Sequence, residues 1–306
     1  MRITRLAVLP LLMLAACASS ATNGDAKLES DASLSGSSPL DTLEPATLED
    51  NLAAARAAFA ADPKDETNII WLGRRLAYLG RYEEAIDVYS RGLELHPESY
   101  RLLRHRGHRF ITLRRFERAE NDLAQAAHLT RGVPDEIEPD GAPNKYGVPR
   151  STNHSNIYYH LGLARYLQGR YDDALEAYEK GLEYSKVNDD MLIATTHWTY
   201  TTLRRLGRDD EAQAVLAPIH EDMEVLENHG YHRLLLMYQG QLGHEEVLAA
   251  EAGSVEFASC GYGVAAWLRA EGRTDEAQAL CARIVDSGAN PAAFGVIAAE
   301  VDLARP

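Results

Sequence analysis

Cysteine is scarce in this chain: three residues in 306, with no two close enough for a paired CxxC motif. No HExxH, nucleophile elbow, phosphate loop or dinucleotide fingerprint occurs either. Without those patterns nothing asks for catalysis, so the chain reads as a non-enzyme with no expected cofactor. Alternating apolar and polar stretches of the strand type are hard to find, which argues against a sheet protein. Positive charge is in short supply too, with 31 Lys and Arg against 46 Asp and Glu and a formal net charge of −15. Such a surface repels nucleic acid and anionic lipid, and no nucleic-acid partner is expected. Binding of an anion would need a local basic patch.

The N-terminus is informative. A basic start (Arg2, Arg5), an apolar run from Leu6 to Ala16 and small residues before Cys17 have the layout of a secretory signal peptide, and the run is too short to span a membrane. Leu14-Ala15-Ala16-Cys17 resembles a bacterial lipobox. That resemblance implies removal of residues 1–16, lipidation of Cys17 and a lipid anchor in the membrane. Ala18, rather than Asp, resembles an outer-membrane sorting signal, so the expected location is the outer membrane, facing the periplasm. Cleavage takes the charge from −15 to −17. With Cys17 taken by lipid, Cys260 and Cys281 remain, and an oxidising periplasm leaves a disulfide or two buried thiols open. Residues 17–44 are rich in Ser, Ala, Gly and Asp and read as a flexible tether.

From residue 45 onward, apolar residues recur at helical spacing and Gly-led turns punctuate them: LGRYEEA (79–85), QGRYDDA (168–174), LGRDDEA (206–212) and EGRTDEA (271–277). Gly73 precedes Ala85 by twelve residues, as Gly107 precedes Ala119 and Gly162 precedes Ala174, and Ala85 to Ala119 is 34 residues. In this register the segment 69–97 resembles a tetratricopeptide repeat through Leu72, Gly73, Gly80, Tyr82, Ala85, Tyr89 and Pro97. Residues 157–184 match almost as well; 100–133, 193–226 and 258–291 match less well, and 229–250 reads as a degenerate hairpin. At 100–133, Arg114 stands where the turn glycine is usual. The resemblance implies an all-α fold over 45–306, a right-handed superhelical solenoid of helical hairpins with cap helices near 46–63 and 290–304.

In that family the first helix of each hairpin lines the concave groove. Residues 101–110, RLLRHRGHRF, hold four arginines and two histidines with no acid. Leu103, Gly107 and Phe110 belong to the core, which puts Arg101, Arg104, His105 and His108 on the inward stripe and points Arg106 and Arg109 sideways. Equivalent inward positions hold Trp71, Arg74 and Tyr78; Tyr159, His160 and Tyr166; and His197, Trp198 and Arg204. The spacing of 55 residues between Ala119 and Ala174 marks an insertion at 133–154, whose four prolines and two glycines make it a loop. Its Glu138 and Asp140 are placed to reach the basic stripe.

Two readings follow. In one, the groove binds an extended peptide or protein tail of acidic character, with Arg74, Arg101 and Arg104 holding carboxylates and Trp71, Tyr159 and Trp198 giving apolar contact. A phosphate or cell-wall fragment would suit the same arginines. In the other, His105, His108, His160 and His197, with Glu138 or Asp140, hold a metal or small ligand, a weaker pattern because nearby arginines repel a cation.

Overall fold

The computed structural model describes residues 45–141 and 144–305. The signal peptide at 1–16, Cys17 and the tether at 17–44 lie outside the described residues. Within them the chain is helical, the one extended pairing being an isolated bridge between Ile137 and Thr152. The order is a leading helix α1 (Pro45–Ala61), then hairpins α2 (Glu66–Tyr78)/α3 (Tyr82–Leu95), α4 (Tyr100–Thr112)/α5 (Phe116–Leu129), α6 (Asn153–Leu167)/α7 (Tyr171–Ser185) and α8 (Asp189–Arg205)/α9 (Asp209–Val215). A short pair α10 (His229–Tyr238)/α11 (His244–Val247), a full hairpin α12 (Val255–Ala270)/α13 (Thr274–Asp286) and a last helix α14 (Phe294–Ala304) follow. This is a helical-hairpin solenoid. None of the described helices is long and apolar enough to cross a membrane.

Local chemistry sets each hairpin. The first helices α2, α4, α6, α8 and α12 begin on Asp65, Ser99, Thr152, Asn188 and Ser254, whose side chains accept a backbone N–H of the first turn. The second helices have no side-chain cap and follow a Gly-Arg pair instead. Gly80, Gly169, Gly207 and Gly272 take φ between 68° and 76°, the left-handed conformation that ends the first helix at low cost. The arginine after each then pairs with an acid three residues on, as Arg81 does with Glu84 and Arg273 with Glu276.

Arg114 breaks the pattern and explains itself. It adopts φ 59° without being glycine, which costs about 1–2 kcal/mol. Its guanidinium donates to both carboxylate oxygens of Glu300 at 2.9 Å and to the Pro291 carbonyl at 2.8 Å, tying the α4–α5 turn to α14.

Close packing accounts for the small residues. Ala85, Ala119, Ala174, Ala212 and Ala277 are all fully buried at the helix crossings. A Cβ at Gly73 would stand 2.3 Å from the Tyr89 ring, and one at Gly162 would stand 2.5 Å from Tyr178, so each tyrosine lies flat on backbone. The weak repeat near 193–226 is real in α8 but truncated in α9; the segment leading to α10 is held by Asp190, fully buried, which accepts the N–H groups of Leu226, Glu227 and Asn228. Cys260 and Cys281 are buried free thiols, and burial pushes both up to about 12. Of the two states open for the pair, the structure adopts the thiols.

The array closes on itself at its far end. Helix α12 packs beside α8 and α10, and Tyr262 on α12 meets Tyr166 on α6 with their hydroxyls 2.8 Å apart. Helix α14 packs on α12 and α13 so tightly that a Cβ at Gly295 would stand 2.1 Å from the Ala258 carbonyl. From there α14 reaches the middle repeats: Arg305 donates to the Leu167 carbonyl at 2.5 Å, and Phe294 packs against His108, Tyr159 and His160. The segment expected as a simple closing cap is therefore also a filling for the inner face.

Candidate binding site on the inner face

The first helices do carry the inward stripe, but its residues divide into two environments. On α2 and α4 the stripe is cationic and met by the insertion. The loop runs from α5 to α6 and is pinned at its stem, where Glu138 N–H donates to the Ser151 carbonyl and Asn153 N–H to the Glu136 carbonyl, both at 2.9 Å. Beyond the stem, Glu138, Gly141 and Asn144 turn inward and are buried, while Pro139, Lys145 and Tyr146 stay exposed.

Glu138, 5% exposed, is the centre of the site. Its Oε2 accepts from Asn156 Nδ2 at 3.0 Å and lies 3.1 Å from Arg104 Nε, near enough to pair but poorly aligned for a hydrogen bond. Its Oε1 lies 3.8 Å from Arg74 Nη1. Backbone is gripped as well: Arg74 donates to the Pro139 carbonyl and Arg75 to the Gly141 carbonyl, each at 2.7 Å. Both guanidinium groups lie over the Trp71 ring, at 4.7 and 4.8 Å from its centroid. Arg101 stands nearer the mouth, between Glu66 and Glu136 at 3.8 and 3.5 Å. Asp140 is half-buried with Oδ2 unpartnered, and burial raises its pKa despite the nearby Arg74.

The histidines beside this pocket are neutral. Arg104 can only donate, so its 2.9 Å contact with His105 Nδ1 makes that nitrogen an acceptor. Burial first, then the charge of Arg104, holds His105 well below the ordinary imidazole pKa. His108 is lowered by burial and then Arg109, and His160 by burial and then Arg104. The rings of His108 and His160 are 4.3 Å apart. Arg109, expected to point sideways, lies instead among tyrosines, 5.7 Å over the Tyr82 ring, and bears electrostatically on His105 and His108. Among the described residues its guanidinium has no hydrogen-bond or ion-pair partner. Arg106 does leave the stripe, gripping Asp122 of its own hairpin with two bonds at 2.7 and 2.8 Å.

On α6 and α8 the same stripe is core. Tyr159, His160, His197 and Trp198 are 8%, 4%, 0% and 1% exposed. Trp198 Nε1 donates to Tyr159 Oη at 2.8 Å, and the indole stacks on Tyr262 at 5.8 Å. His197 stacks on Tyr231 at 4.6 Å, away from the other three histidines, and burial pushes it down to about 3. Arg204 is engaged by Glu271 at 2.7 Å and Asp209 at 2.9 Å. Tyr159, His197, Trp198 and Arg204 were expected to face a ligand; the closing of α10, α12 and α14 over α6 and α8 makes the three rings packing residues, and Arg204 is taken up by its ion pairs. The expected four-histidine site is likewise not assembled, and among the described residues no group of three or more His, Cys, Asp or Glu is arranged to hold a metal.

Sequence reasoning missed Arg75, Arg109, Asn156 and Phe294. Arg109 sits one position outside the inward stripe, and only the neighbouring hairpin decides where it points. Phe294 carries no local signal, because its contacts lie more than a hundred residues away in sequence.

Family models of the tetratricopeptide repeat match residues 66–109 and 155–185, the α2–α4 and α6–α7 regions just described. Among curated proteins, the chain is 28% identical over 130 residues to BBSome complex member BBS4 of Bos taurus, covering 42% of this chain and 21% of that one. It is 31% identical over 108 residues to small glutamine-rich tetratricopeptide repeat-containing protein 2 of Mycosarcoma maydis, covering 35% of this chain and 25% of the other. The chain thus spans about a quarter or less of these relatives' lengths. Solved structures similar to it include MamA (18% identity, 64% of this chain and 91% of that one, TM-score 0.44) and YrrB, described as a tetratricopeptide-repeat protein with an unusual peptide-binding site (15%, 77% and 93%, TM-score 0.44).

Proposed function

We propose that this protein is a non-catalytic scaffold whose tetratricopeptide repeats bind an acidic, extended segment of a protein partner in the basic pocket between α2, α4 and α6. The observation that carries this reading is the buried Glu138 carboxylate between Arg74 and Arg104. A pocket that holds one carboxylate and two backbone carbonyls with guanidinium groups has the donors an acidic peptide needs, since arginine forks onto carboxylates and carbonyls alike. The lipobox resemblance at Leu14–Cys17 supports the rest of the proposal: a chain lipidated at Cys17, tethered through 17–44 to the outer membrane and working in the periplasm.

Fluorescence anisotropy with a panel of labelled acidic peptides and their Asn/Gln counterparts tests the pocket. Acidic peptides are expected to bind, and to weaken as salt is raised from 0.05 to about 0.5 M because the pairs are screened. Equal binding of the uncharged counterparts, or none of either, would sink the reading. For the anchor, incorporation of a labelled fatty acid should be lost in Cys17→Ser.

A further inference from the structure

The insertion resembles a bound peptide more than a connecting loop. Its segment from Glu138 to Gly141 puts one carboxylate against Arg104 and Arg74 and hands carbonyls to Arg74 and Arg75. It also lays Gly141 so close to Tyr78 that a Cβ there would come within 1.8 Å of the hydroxyl. Tyr78 cannot swing freely, because Arg74 donates to that hydroxyl at 3.2 and 3.3 Å.

How the loop is held matters as much as where. Four of the eight exposed large hydrophobic residues among the described residues belong to it: Val133, Ile137, Tyr146 and Val148, at 38%, 64%, 57% and 41% exposure. These apolar side chains face outward, while the Glu138 carboxylate faces in. A segment retained by ion pairs and hydrogen bonds, with little buried apolar area, is drawn from the low-stability end of a structure and yields to a competitor offering the same polar groups.

The pocket is also incompletely neutralised. Arg109 stands behind the loop's contacts, over the Tyr82 ring and close enough to Arg104 for the two charges to bear on each other, while Glu138 pairs with Arg74, Arg104 and the His105 ring and not with Arg109.

We infer that the insertion is a resident placeholder for the partner: Glu138-Pro139-Asp140-Gly141 occupies the site in cis, and a partner segment that repeats its pattern and adds a carboxylate for Arg109 displaces it. This rests on the acidic-peptide reading and sharpens it to a ligand grammar, namely a carboxylate, an extended backbone, a small residue three positions on and a second anion. It also makes binding gated, because the site opens only when the loop leaves.

The probe is a labelled peptide with the loop's own sequence from 135 to 141, made with a free C-terminal carboxylate and as the C-terminal amide. Two full-chain variants open the site by independent means: Gly141→Val, which clashes with Tyr78 and changes no charge, and Glu138→Gln, which removes the pairing carboxylate. Both are expected to bind the free-acid peptide about tenfold or more tighter than the parent chain, because removing a competing state raises the competent fraction. The acid form should be preferred over the amide, and Arg109→Gln should erase that preference. In the unsubstituted chain, hydrogen exchange at the Glu138 amide, bonded to Ser151, should speed up when the peptide is added, which keeps the test alive if a variant fails to fold. If parent and opened chains bind the peptide equally, with unchanged exchange at Glu138, the placeholder is overturned while the acidic-peptide reading stands. If neither binds any acidic peptide, the reading itself fails. If acid and amide bind alike, the assignment of Arg109 to a second anion is wrong.

Discussion

The two halves of the inner face are built on one repeat and end as opposites. On α2 and α4 the inward positions hold Arg74, Arg101 and Arg104, and what fills the space before them is a loop secured by Glu138. On α6 and α8 the inward positions hold Tyr159, His197 and Trp198, and what fills the space is α10, α12 and α14, secured by stacked rings and buried apolar surface. Apolar burial at about 25 cal/mol per Å² accumulates over a helix and is not undone by a competing ion. Charge pairing at a buried site is costly to leave unmade but can be met by any carboxylate, so one partner can be exchanged for another. One half has thus become core, while the other keeps the properties of a binding site.

Several substitutions would break or sharpen that contrast. Trp198→Ala should have the largest effect of any single substitution, destabilising the chain by about 3–5 kcal/mol through the cavity it leaves and the lost bond to the Tyr159 hydroxyl, as read by denaturant unfolding. A loss under about 1 kcal/mol would mean that the α6–α8 half is looser than a packed core.

Acid should come next. His197 is pushed down to about 3, and His105, His108 and His160 lie well below the ordinary value of 6.5. For an imidazole lowered on folding, the unfolded chain binds more protons below pH 6.5, so stability is full above that pH and is lost as the pH falls toward the folded value. The slope is about 1.4 kcal/mol per pH unit for each such histidine. Unfolding midpoints at pH 7, 6 and 5 should fall in that order, and His197→Phe should flatten part of the slope. A flat profile would show these imidazoles to be solvated.

The smallest effect concerns the tie between the halves. Arg114→Ala and Arg114→Gly both remove the bonds to Glu300 and Pro291, but glycine also relieves the left-handed backbone. The alanine variant should be less stable than the glycine variant by about 1 kcal/mol, measured by thermal melting. Equal stability would mean that the turn relaxes once the side chain is gone.

Much of this frame could be read from the chain. Gly73, Gly162, Ala85, Ala119 and Ala174 gave the hairpins because each is a contact where nothing larger fits, and such steric demands leave a period in the sequence. The insertion was legible from the break in that period, and Glu138 from its charge opposite a basic stripe. The division of the stripe was not. His105 and Trp198 occupy equivalent register positions, each fourteen residues before the buried alanine of its hairpin, yet one borders a pocket and the other is held between Tyr159 and Tyr262. Arg204 looked like Arg74 until Glu271 from a distant hairpin claimed it.

Local rules, then, made this chain helical, set its hairpins and chose the face that carries the arginines, because caps, turn glycines and 3.6-residue periodicity act over a few residues. Which part of that face stayed a site was settled by contacts between hairpins that are not neighbours in sequence. Phe294, Glu300 and Tyr262 reach the inner face only after the array has curled, and burial then turned half of the candidate ligands into core while Glu138 came to rest among the arginines that remained.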